Sequence, residues 1–309
     1  MNIWNLVKEV YTFADLESWK AKAKVPIRLG VFGDPVAQSL SPQMHKGALE
    51  TCGLEMQYAR FEIHSNELPP AFELLRQLNF VGVNLTVPHK IAALKLVDEA
   101  DETARQVGAV NTIKIENEKL RGFNTDGKGF SRAIREEFSV DLHDLRVLIL
   151  GAGGAARAIA FQCAKENCER LVIANRDFEK ARQLSEELRP FFAEARVLGP
   201  VARLQAIPFD EAALRFQIGN VDLVVNATPL GLNRTDAAPI SARLVAPHLM
   251  IYDTIYSSSQ TAFVSAAIDA GARAVNGLSM LLHQGALAFE IWFDRAAPID
   301  AMRAALPLR

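Results

Sequence analysis

The sequence predicts an α/β protein of two domains, and three observations carry that prediction. Short apolar runs alternate with segments of helical spacing along most of the chain, the pattern of a parallel α/β sheet rather than of separate all-α and all-β domains. The rhythm restarts near Arg146, where an apolar run meets a glycine-rich turn. The length of 309 residues suits about two domains at the usual ~100–200 residues each.

Taken in order, Ile27 to Phe32 reads as a strand ending in the turn Gly33-Asp34-Pro35. Ser41-Pro42 looks like an N-cap followed by proline at the first helical position, opening a helix through about Thr51. Gln57 to Ile63 alternates as a strand, and Glu67 to Leu78 returns to helical spacing. Val81 to Leu85 is the next strand, and Pro88 opens a helix holding Lys90 to Val97. Val110 to Ile115 and Lys119 to Phe123 flank Glu116-Asn117-Glu118 as a hairpin. In the second half, Arg146 to Leu150 is a strand, followed by a helix through Cys163. Leu171 to Ala174 is a strand and Phe178 to Leu188 a helix. Strands follow at Ala195 to Leu198, Asp222 to Asn226 and Leu249 to Asp253, with helices at Thr261 to Ala270 and Leu278 to Phe293. No linker-like tract marks the joint between the halves, which the motifs place near Asp126.

Half of the residues are hydrophobic, enough for a sizeable core, and the formal net charge is −2. A nearly neutral balance gives no support for nucleic acid or a membrane surface as partner, since both call for a basic excess. No apolar run approaches the ~20 residues that cross a bilayer. Met1 to Lys24, with Trp4, Glu9, Asp15, Glu17 and Trp19, lacks the basic start and apolar middle of a signal peptide. Cys52, Cys163 and Cys168 are few and odd in number, without a CxxC pair or a histidine cluster, so reduced thiols in a cytoplasmic protein without a metal site are expected.

The sharpest chemical signal is Gly151-Ala152-Gly153-Gly154-Ala155-Ala156, a G-x-G-x-x-A turn directly after a strand and opening a helix. Small residues permit the tight turn and let backbone approach a pyrophosphate, to which the helix N-terminus presents free N–H groups and a partial positive charge. The second half therefore reads as a Rossmann-like NAD(P)-binding domain; the bland alternative is a structural glycine turn. After the second strand, an NAD site usually places a carboxylate for the ribose hydroxyls. Here Asn175-Arg176 stands there instead, and a guanidinium suits the 2′-phosphate of NADP. Lys180 adds a positive charge one turn on, whereas Asp177 opposes a phosphate unless it serves as the N-cap of the helix at Phe178. NADP is the favoured cofactor and NAD the alternative.

Four polar clusters fall where strands end in the first half: Ser39 and Ser41; Asn84, Thr86 and Lys90; Asn111-Thr112; and Asn124-Thr125-Asp126. Open α/β sheets bind ligands at the carboxyl ends of their strands, and hydroxyls, amides, one ammonium and one carboxylate suit a small polyhydroxylated anion. Each has a structural explanation when taken singly: Ser41 as a cap, Thr86 as a strand end, Asn111 as a turn residue, Lys90 as a solvated helix charge.

Taken together, the motifs resemble the shikimate dehydrogenase family from about Ile27 to Trp292. They are Gly33-Asp-Pro-Val-Ala-Gln-Ser-Leu-Ser-Pro-Gln-Met-His45, Asn84-Leu-Thr-Val-Pro-His-Lys90, Gly108-Ala-Val-Asn-Thr112, Asn124-Thr-Asp-Gly127, Gly151-Ala-Gly-Gly-Ala155, Asn226-Ala-Thr-Pro-Leu-Gly231 and Gly277-Leu-Ser-Met-Leu-Leu-His-Gln284. The resemblance implies reversible hydride transfer between 3-dehydroshikimate and shikimate with NADP, a step of aromatic amino-acid biosynthesis. It implies a substrate-binding and catalytic domain over residues 1–125, completed by the C-terminal helices 277–309. Residues 126–276 would form the NAD(P)-binding domain, with the active site in the cleft between the two. Lys90 and Asp126 match the catalytic pair. Ser39, Ser41, Thr86, Asn111 and Gln284 match the substrate pocket, with Asn84 and Tyr256 nearby. Thr228, Gly277 and Met280 join the cofactor set, Met280 near the nicotinamide. A monomer or homodimer acting on a small molecule is expected.

In the mechanism this implies, Lys90 is the acid/base. Burial would depress its pKa while Asp126 would raise it, and the sequence leaves the balance open. Asp126 orients Lys90 and a substrate hydroxyl, and the Ser39 and Ser41 hydroxyls hold the substrate carboxylate with no arginine required. Three positions depart from the family pattern. Lys46 stands where asparagine is usual, Asp177 stands where Thr or Ser helps hold the 2′-phosphate, and residues 1–24 precede the usual start, where an extra packed helix is expected. Asp177 favours an NAD-dependent quinate/shikimate dehydrogenase as the alternative, whereas the Ser39/Ser41 pair favours shikimate. An alternative of another class is a non-catalytic NAD(P)-binding sensor, against which the joint presence of Lys90 and Asp126 counts.

Overall fold

In the computed structural model, residues 8–19, 25–192, 202–233, 235–256 and 260–307 are described here. The chain divides into two compact units, Met1–Thr125 with Leu281–Arg309, and Asp126–Met280. The first unit begins with β1 (Tyr11–Thr12), α1 (Phe13–Glu17), β2 (Ile27–Gly33), α2 (Ser41–Thr51), β3 (Gln57–Glu62) and α3 (Leu68–Gln77). It continues with β4 (Gly82–Leu85), α4 (Lys90–Ala93), β5 (Glu99–Ala100), α5 (Glu102–Val107), β6 (Thr112–Glu116) and β7 (Lys119–Phe123). The strands form one sheet in the order β1-β3-β2-β4-β6-β7-β5. Its first four strands are parallel, and β6 runs antiparallel to both β4 and β7.

The expected hairpin closes through Asn117 and Glu118, with φ of 52° and 62°. Two successive left-handed residues match the right-handed twist of the flanking strands. The segment before β2 contributes a short helix and an edge strand: Leu16 and Tyr11 are buried in the first core, and Trp19 packs 5.9 Å from Phe61 and Phe80. Of the helix expected over residues 1–24, the described part is helical only at Phe13–Glu17, with Tyr11–Thr12 a strand, and residues 1–7 and 20–24 lie outside the described residues.

Three local expectations change. Ser41 is the first residue of α2 rather than its cap, and the Ser39 hydroxyl, two residues back, accepts the Ser41 N–H at 3.3 Å. The helix expected through Val97 is regular only over Lys90–Ala93, because the chain is drawn onto the sheet edge. The Asp98 N–H bonds Leu120 O at 3.0 Å while its carboxylate accepts the Leu120 N–H at 2.7 Å. Helix α5 was not expected, although Asp101 caps it by accepting the Ala104 N–H at 2.7 Å and Gly108 ends it at φ 73°.

The second unit holds α6 (Asp126–Phe138), β8 (Arg146–Leu150), α7 (Gly154–Lys165), β9 (Arg170–Asn175), α8 (Phe178–Leu188), β10 (Leu204–Pro208) and α9 (Glu211–Ile218). It closes with β11 (Leu223–Asn226), β12 (Met250–Asp253), α10 (Ala262–Asp269) and β13 (Arg273–Val275). Its sheet is parallel throughout, in the order β10-β9-β8-β11-β12-β13. The reversal lies between β8 and its two neighbours, the switch point at which open α/β sheets bind ligands. The strand expected at Ala195 to Leu198 lies outside the described residues; the sheet edge is β10, whose Pro208 an edge strand tolerates. The runs Val147–Leu150 and Leu171–Ala174 are fully buried, as strands covered on both faces should be.

The division between units falls within α11 (Leu278–Phe293), after Met280, and α12 (Ile299–Ala304) follows. From Leu281 on, these helices belong to the first unit. A Cβ at Gly285 would meet Met44 Cε at 2.1 Å, one at Gly47 would meet Ala301 O at 2.8 Å, and Trp292 Nε1 donates to Ile113 O at 2.9 Å. Both α11 and α12 are therefore packed against α2.

Candidate functional site

In the first unit, strand register brings the polar clusters to one end of the sheet. Strands β2 and β4 run parallel with Phe32 opposite Leu85, Asn84 pairs with Thr112, and Thr112 pairs with Phe123. The residues just beyond these pairs are Thr86, Asn111 and Asn124-Thr125, so segments distant in sequence end together. The Thr86 N–H bonds Phe32 O at 2.9 Å, and its methyl group lies where a Cβ on Gly33 would be, 2.3 Å away.

A buried hydrogen-bond network ties these ends. The Asn111 carboxamide oxygen accepts from Thr125 N at 2.8 Å and from Thr112 Oγ1 at 3.1 Å. Its Nδ2 donates to Thr125 Oγ1 at 2.8 Å and to Gln284 Oε1 at 3.4 Å. Asn84 Nδ2 donates to Thr112 Oγ1 at 3.0 Å and Asn111 O at 3.3 Å, while the Tyr58 hydroxyl donates to Asn84 Oδ1 at 2.8 Å. Both N–H donors of Asn84 are thus used within the protein, which makes it an organiser of its neighbours. Buried amides with committed partners hold one orientation, because reversal would leave unpaired donors at a cost of ~1–3 kcal/mol each. Lys90 is half-buried at the start of α4, and its carbonyl accepts the Val110 N–H at 2.8 Å. Beside it His89 is buried, with Nε2 2.7 Å from Ile63 O, so this histidine fixes the turn that carries Lys90.

At the other flank, Ser39 is half-buried and Ser41 buried. The Arg60 guanidinium, 7% exposed, donates to the Ser39 carbonyl from Nε at 2.9 Å and Nη2 at 2.7 Å. Sequence reasoning missed Arg60, Tyr58 and His45. The available signal was a charged residue inside β3, an otherwise buried strand. The His45 ring stacks on Tyr58 at 4.6 Å and 8°, and neither ring nitrogen has a partner among the described residues. Burial drives its pKa down to about 3, so it is neutral.

The second unit carries the nucleotide-site candidates. Gly151 has φ 115°, and a Cβ there would lie 2.8 Å from Ala227 O. Only glycine suits such a turn. Gly153 caps α7 without a side-chain bond and has open space where a Cβ would project. Ala152, Gly154 and Ala155 complete this turn, so uncapped N–H groups at the start of a helix face a small-residue cradle, which fits a pyrophosphate. At the end of β9, Asn175 Nδ2 donates to Asp177 O at 2.8 Å, and exposed Arg176 has no partner among the described residues. Asp177 occupies the cap position of α8, yet its carboxylate makes no capping bond among the described residues; it pairs with Lys180 Nζ at 3.6 Å.

Thr228 is held by Asn226, whose Oδ1 accepts from Thr228 N at 3.1 Å and Oγ1 at 2.7 Å. Asn226 in turn donates to Asp253 Oδ1 at 2.8 Å. Burial raises the Asp253 pKa against the lowering effect of bonds from Thr261, Ile255 and Asn226. Gly277 lies so near Thr254 that a Cβ would be 2.2 Å from its carbonyl oxygen, and the Tyr252 hydroxyl accepts the Met280 N–H at 3.0 Å. These contacts fix the start of α11. Asp126 is buried as the first residue of α6, and Tyr256 is half-buried. Among the described residues no cluster of His, Cys, Asp or Glu could hold a metal ion, and no helix is long and apolar enough to cross a membrane.

Comparison with known proteins follows the two-unit division. The shikimate dehydrogenase substrate binding domain family matches residues 31–113, the shikimate / quinate 5-dehydrogenase family residues 132–228, and the shikimate 5'-dehydrogenase C-terminal domain family residues 277–306. The shikimate dehydrogenase (NADP(+)) of Methanopyrus kandleri is 41% identical over 90% of this chain and 94% of its own length. That of Symbiobacterium thermophilum is 42% identical over 90% and 92%. The crystal structure of the Thermus thermophilus shikimate 5-dehydrogenase in complex with NADP(H) and shikimate superposes with a TM-score of 0.78 at 36% identity, over 90% of this chain and 98% of that one. The Corynebacterium glutamicum quinate dehydrogenase in complex with NAD has the same TM-score, 0.78, at 27% identity over 90% and 98%.

Proposed function

This chain belongs to the shikimate dehydrogenase family, and we propose that it catalyses the reversible reduction of 3-dehydroshikimate to shikimate with NADPH, in the cytoplasm and as a monomer or homodimer. The observation that carries the reading is the bond between Gln284 and Asn111, 173 residues apart in sequence, within a network of fixed amides and hydroxyls. Such a network recognises a polyhydroxylated ring, whose hydroxyls both donate and accept.

In this reading residues 1–125 with the C-terminal helices bind substrate and residues 126–276 bind the cofactor. Ser39 and Ser41 donate to the substrate carboxylate. Thr86, Asn111 and Gln284 address the ring hydroxyls, Asn84 keeps Asn111 in register, and Tyr256 adds a hydroxyl. The Gly151–Ala155 turn holds the pyrophosphate, Asn175, Arg176 and Lys180 the 2′-phosphate, and Thr228, Gly277 and Met280 the nicotinamide end. When bound, NADPH supplies the hydride, so the protein must manage one proton and one developing charge. Lys90 Nζ donates its proton to the carbonyl oxygen as that oxygen becomes negative, and takes it back in the reverse direction. Asp126 accepts a hydrogen bond from a neighbouring substrate hydroxyl and so sets the ring orientation.

Asp177 favours a second reading, an NAD-dependent enzyme that also accepts quinate. One experiment separates the two: absorbance at 340 nm with shikimate or quinate and NADP or NAD, in all four combinations. Reduction confined to shikimate with NADP supports the proposal. Activity with NAD, above all on quinate, supports the second reading, and a cofactor that binds without turnover in any combination supports a sensor.

A further inference from the structure

We propose that Arg60 is a positioning residue for the substrate carboxylate: its buried guanidinium grips the Ser39 carbonyl and sets both the geometry and the local charge of the Ser39–Ser41 turn. The inference deepens the proposed function and rests on its assignment of the carboxylate to those two hydroxyls. None of the seven motifs quoted above contains Arg60.

The geometry begins with β3. Tyr58 and Arg60 are two residues apart on a buried strand, so both side chains leave the same face of the sheet. Tyr58 stacks on His45 in α2, and Arg60 Nη2 reaches Gln43 Oε1 at 3.1 Å near the start of the same helix. Nε and Nη2 together clamp the Ser39 carbonyl at 2.9 and 2.7 Å. Ser39 is further tied by its N–H to Val36 O at 3.0 Å and by its hydroxyl, which accepts the Ser41 N–H at 3.3 Å. The turn is therefore held from its backbone, leaving the Ser39 hydroxyl proton and the Ser41 hydroxyl as donors.

Chemistry explains why an arginine should stand there. An apolar side chain would pack at a buried strand position without the cost of desolvating a cation. Arginine keeps its charge at any working pH and presents two N–H groups in a rigid fork that one carbonyl oxygen can accept. At 7% exposure that charge is weakly screened, so it adds attraction for a carboxylate held by the neighbouring hydroxyls. Two neutral serines alone would distinguish an acid from its ester poorly; with the guanidinium behind them the acid is favoured.

The test compares shikimate with its methyl ester, using the full-length protein and saturating NADP, in wild type, Arg60→Gln and Arg60→Lys. The proposal expects Arg60→Gln to raise KM for the acid about tenfold, with kcat within about threefold and KM for the ester nearly unchanged. Arg60→Lys, which keeps the charge and loses the fork, should raise the acid's KM about threefold and retain most of the acid-over-ester preference. Equal losses for acid and ester in both variants would reduce Arg60 to a structural prop and overturn the proposal. Should Arg60→Gln yield no folded protein, Arg60→Lys decides, an unchanged acid KM being the overturning result. Wild-type protein that turns over neither compound with either cofactor refutes the functional reading itself. That outcome is distinct from a wild type that reduces NADP with shikimate while Arg60→Gln keeps its preference.

Discussion

Lowering the pH from 7 to 5 should destabilise the first unit through His45, and the size of this contribution follows from its surroundings. The imidazole is fully buried, stacked on Tyr58 at 4.6 Å with Trp292 at 5.2 Å, and burial depresses its pKa from 6.5 to about 3. In the unfolded chain the same ring takes up a proton near pH 6.5. Between those values the unfolded state binds more protons than the folded state, so stability is full above about 6.5 and falls as the pH drops. The slope approaches ~1.4 kcal/mol per pH unit, or ~2 kcal/mol between pH 6.5 and 5, a sizeable part of a typical stability of ~5–15 kcal/mol. His89 is also depressed by burial, and exposed His64 is raised by its bond to Asp34, but both are present in wild type and variant and cancel in the difference. The comparison is wild type against His45→Phe, which keeps an aromatic ring and removes the titrating nitrogens. Urea unfolding at pH 7, 6 and 5, followed by tryptophan fluorescence, reports the first unit, to which Trp19 and Trp292 belong. Wild type should lose ~2 kcal/mol more than His45→Phe on going to pH 5. Parallel pH dependences for the two proteins would refute the reasoning, whatever their difference at pH 7.

Three further outcomes are expected. Lys90→Ala should lower kcat by about 100-fold with a smaller change in substrate KM, as loss of a general acid does; unchanged turnover removes Lys90 from the mechanism. Gly151→Ala forces a side chain into φ 115° and toward Ala227 O at 2.8 Å. It should cost ~1–3 kcal/mol of stability and most NADP binding, read by thermal unfolding and calorimetric titration, with an unaltered Kd as the contrary result. Asp177→Ser removes the carboxylate that pairs with Lys180 and so should tighten NADP binding several-fold relative to NAD at low salt; an unchanged NADP/NAD affinity ratio shows that Asp177 does not select the cofactor.

Much of the fold was legible because its signals are local. The parallel strands of the second unit are nearly continuous apolar runs, and α8 and α11 have the bounds expected from spacing alone, Phe178–Leu188 and Leu278–Phe293. Helices α5, α6 and α9 have no counterpart in the sequence reading, α5 and α9 although their caps were readable. Asp101 and Asp210 each accept an N–H three residues on, at 2.7 and 2.9 Å, but short helices show too few apolar repeats to reveal a period. Ser41 was misread as a cap because a serine before a proline fits that pattern, whereas the Ser39 hydroxyl supplies the acceptor.

The sequence by itself determined the glycine turn at Gly151, the strands that flank it and the polar clusters at strand ends, since each depends on residues within one turn or one strand of each other. Only the tertiary structure decided which distant groups complete them. Gln284 comes to Asn111 at 3.4 Å, Arg60 clamps Ser39, and Trp292 reaches Ile113 where Gly82 leaves room, since a Cβ there would lie 2.1 Å from Trp292 Nε1. No periodicity encodes such pairs. They follow from how the helices close on the sheet, where buried donors must find acceptors and close packing admits few arrangements.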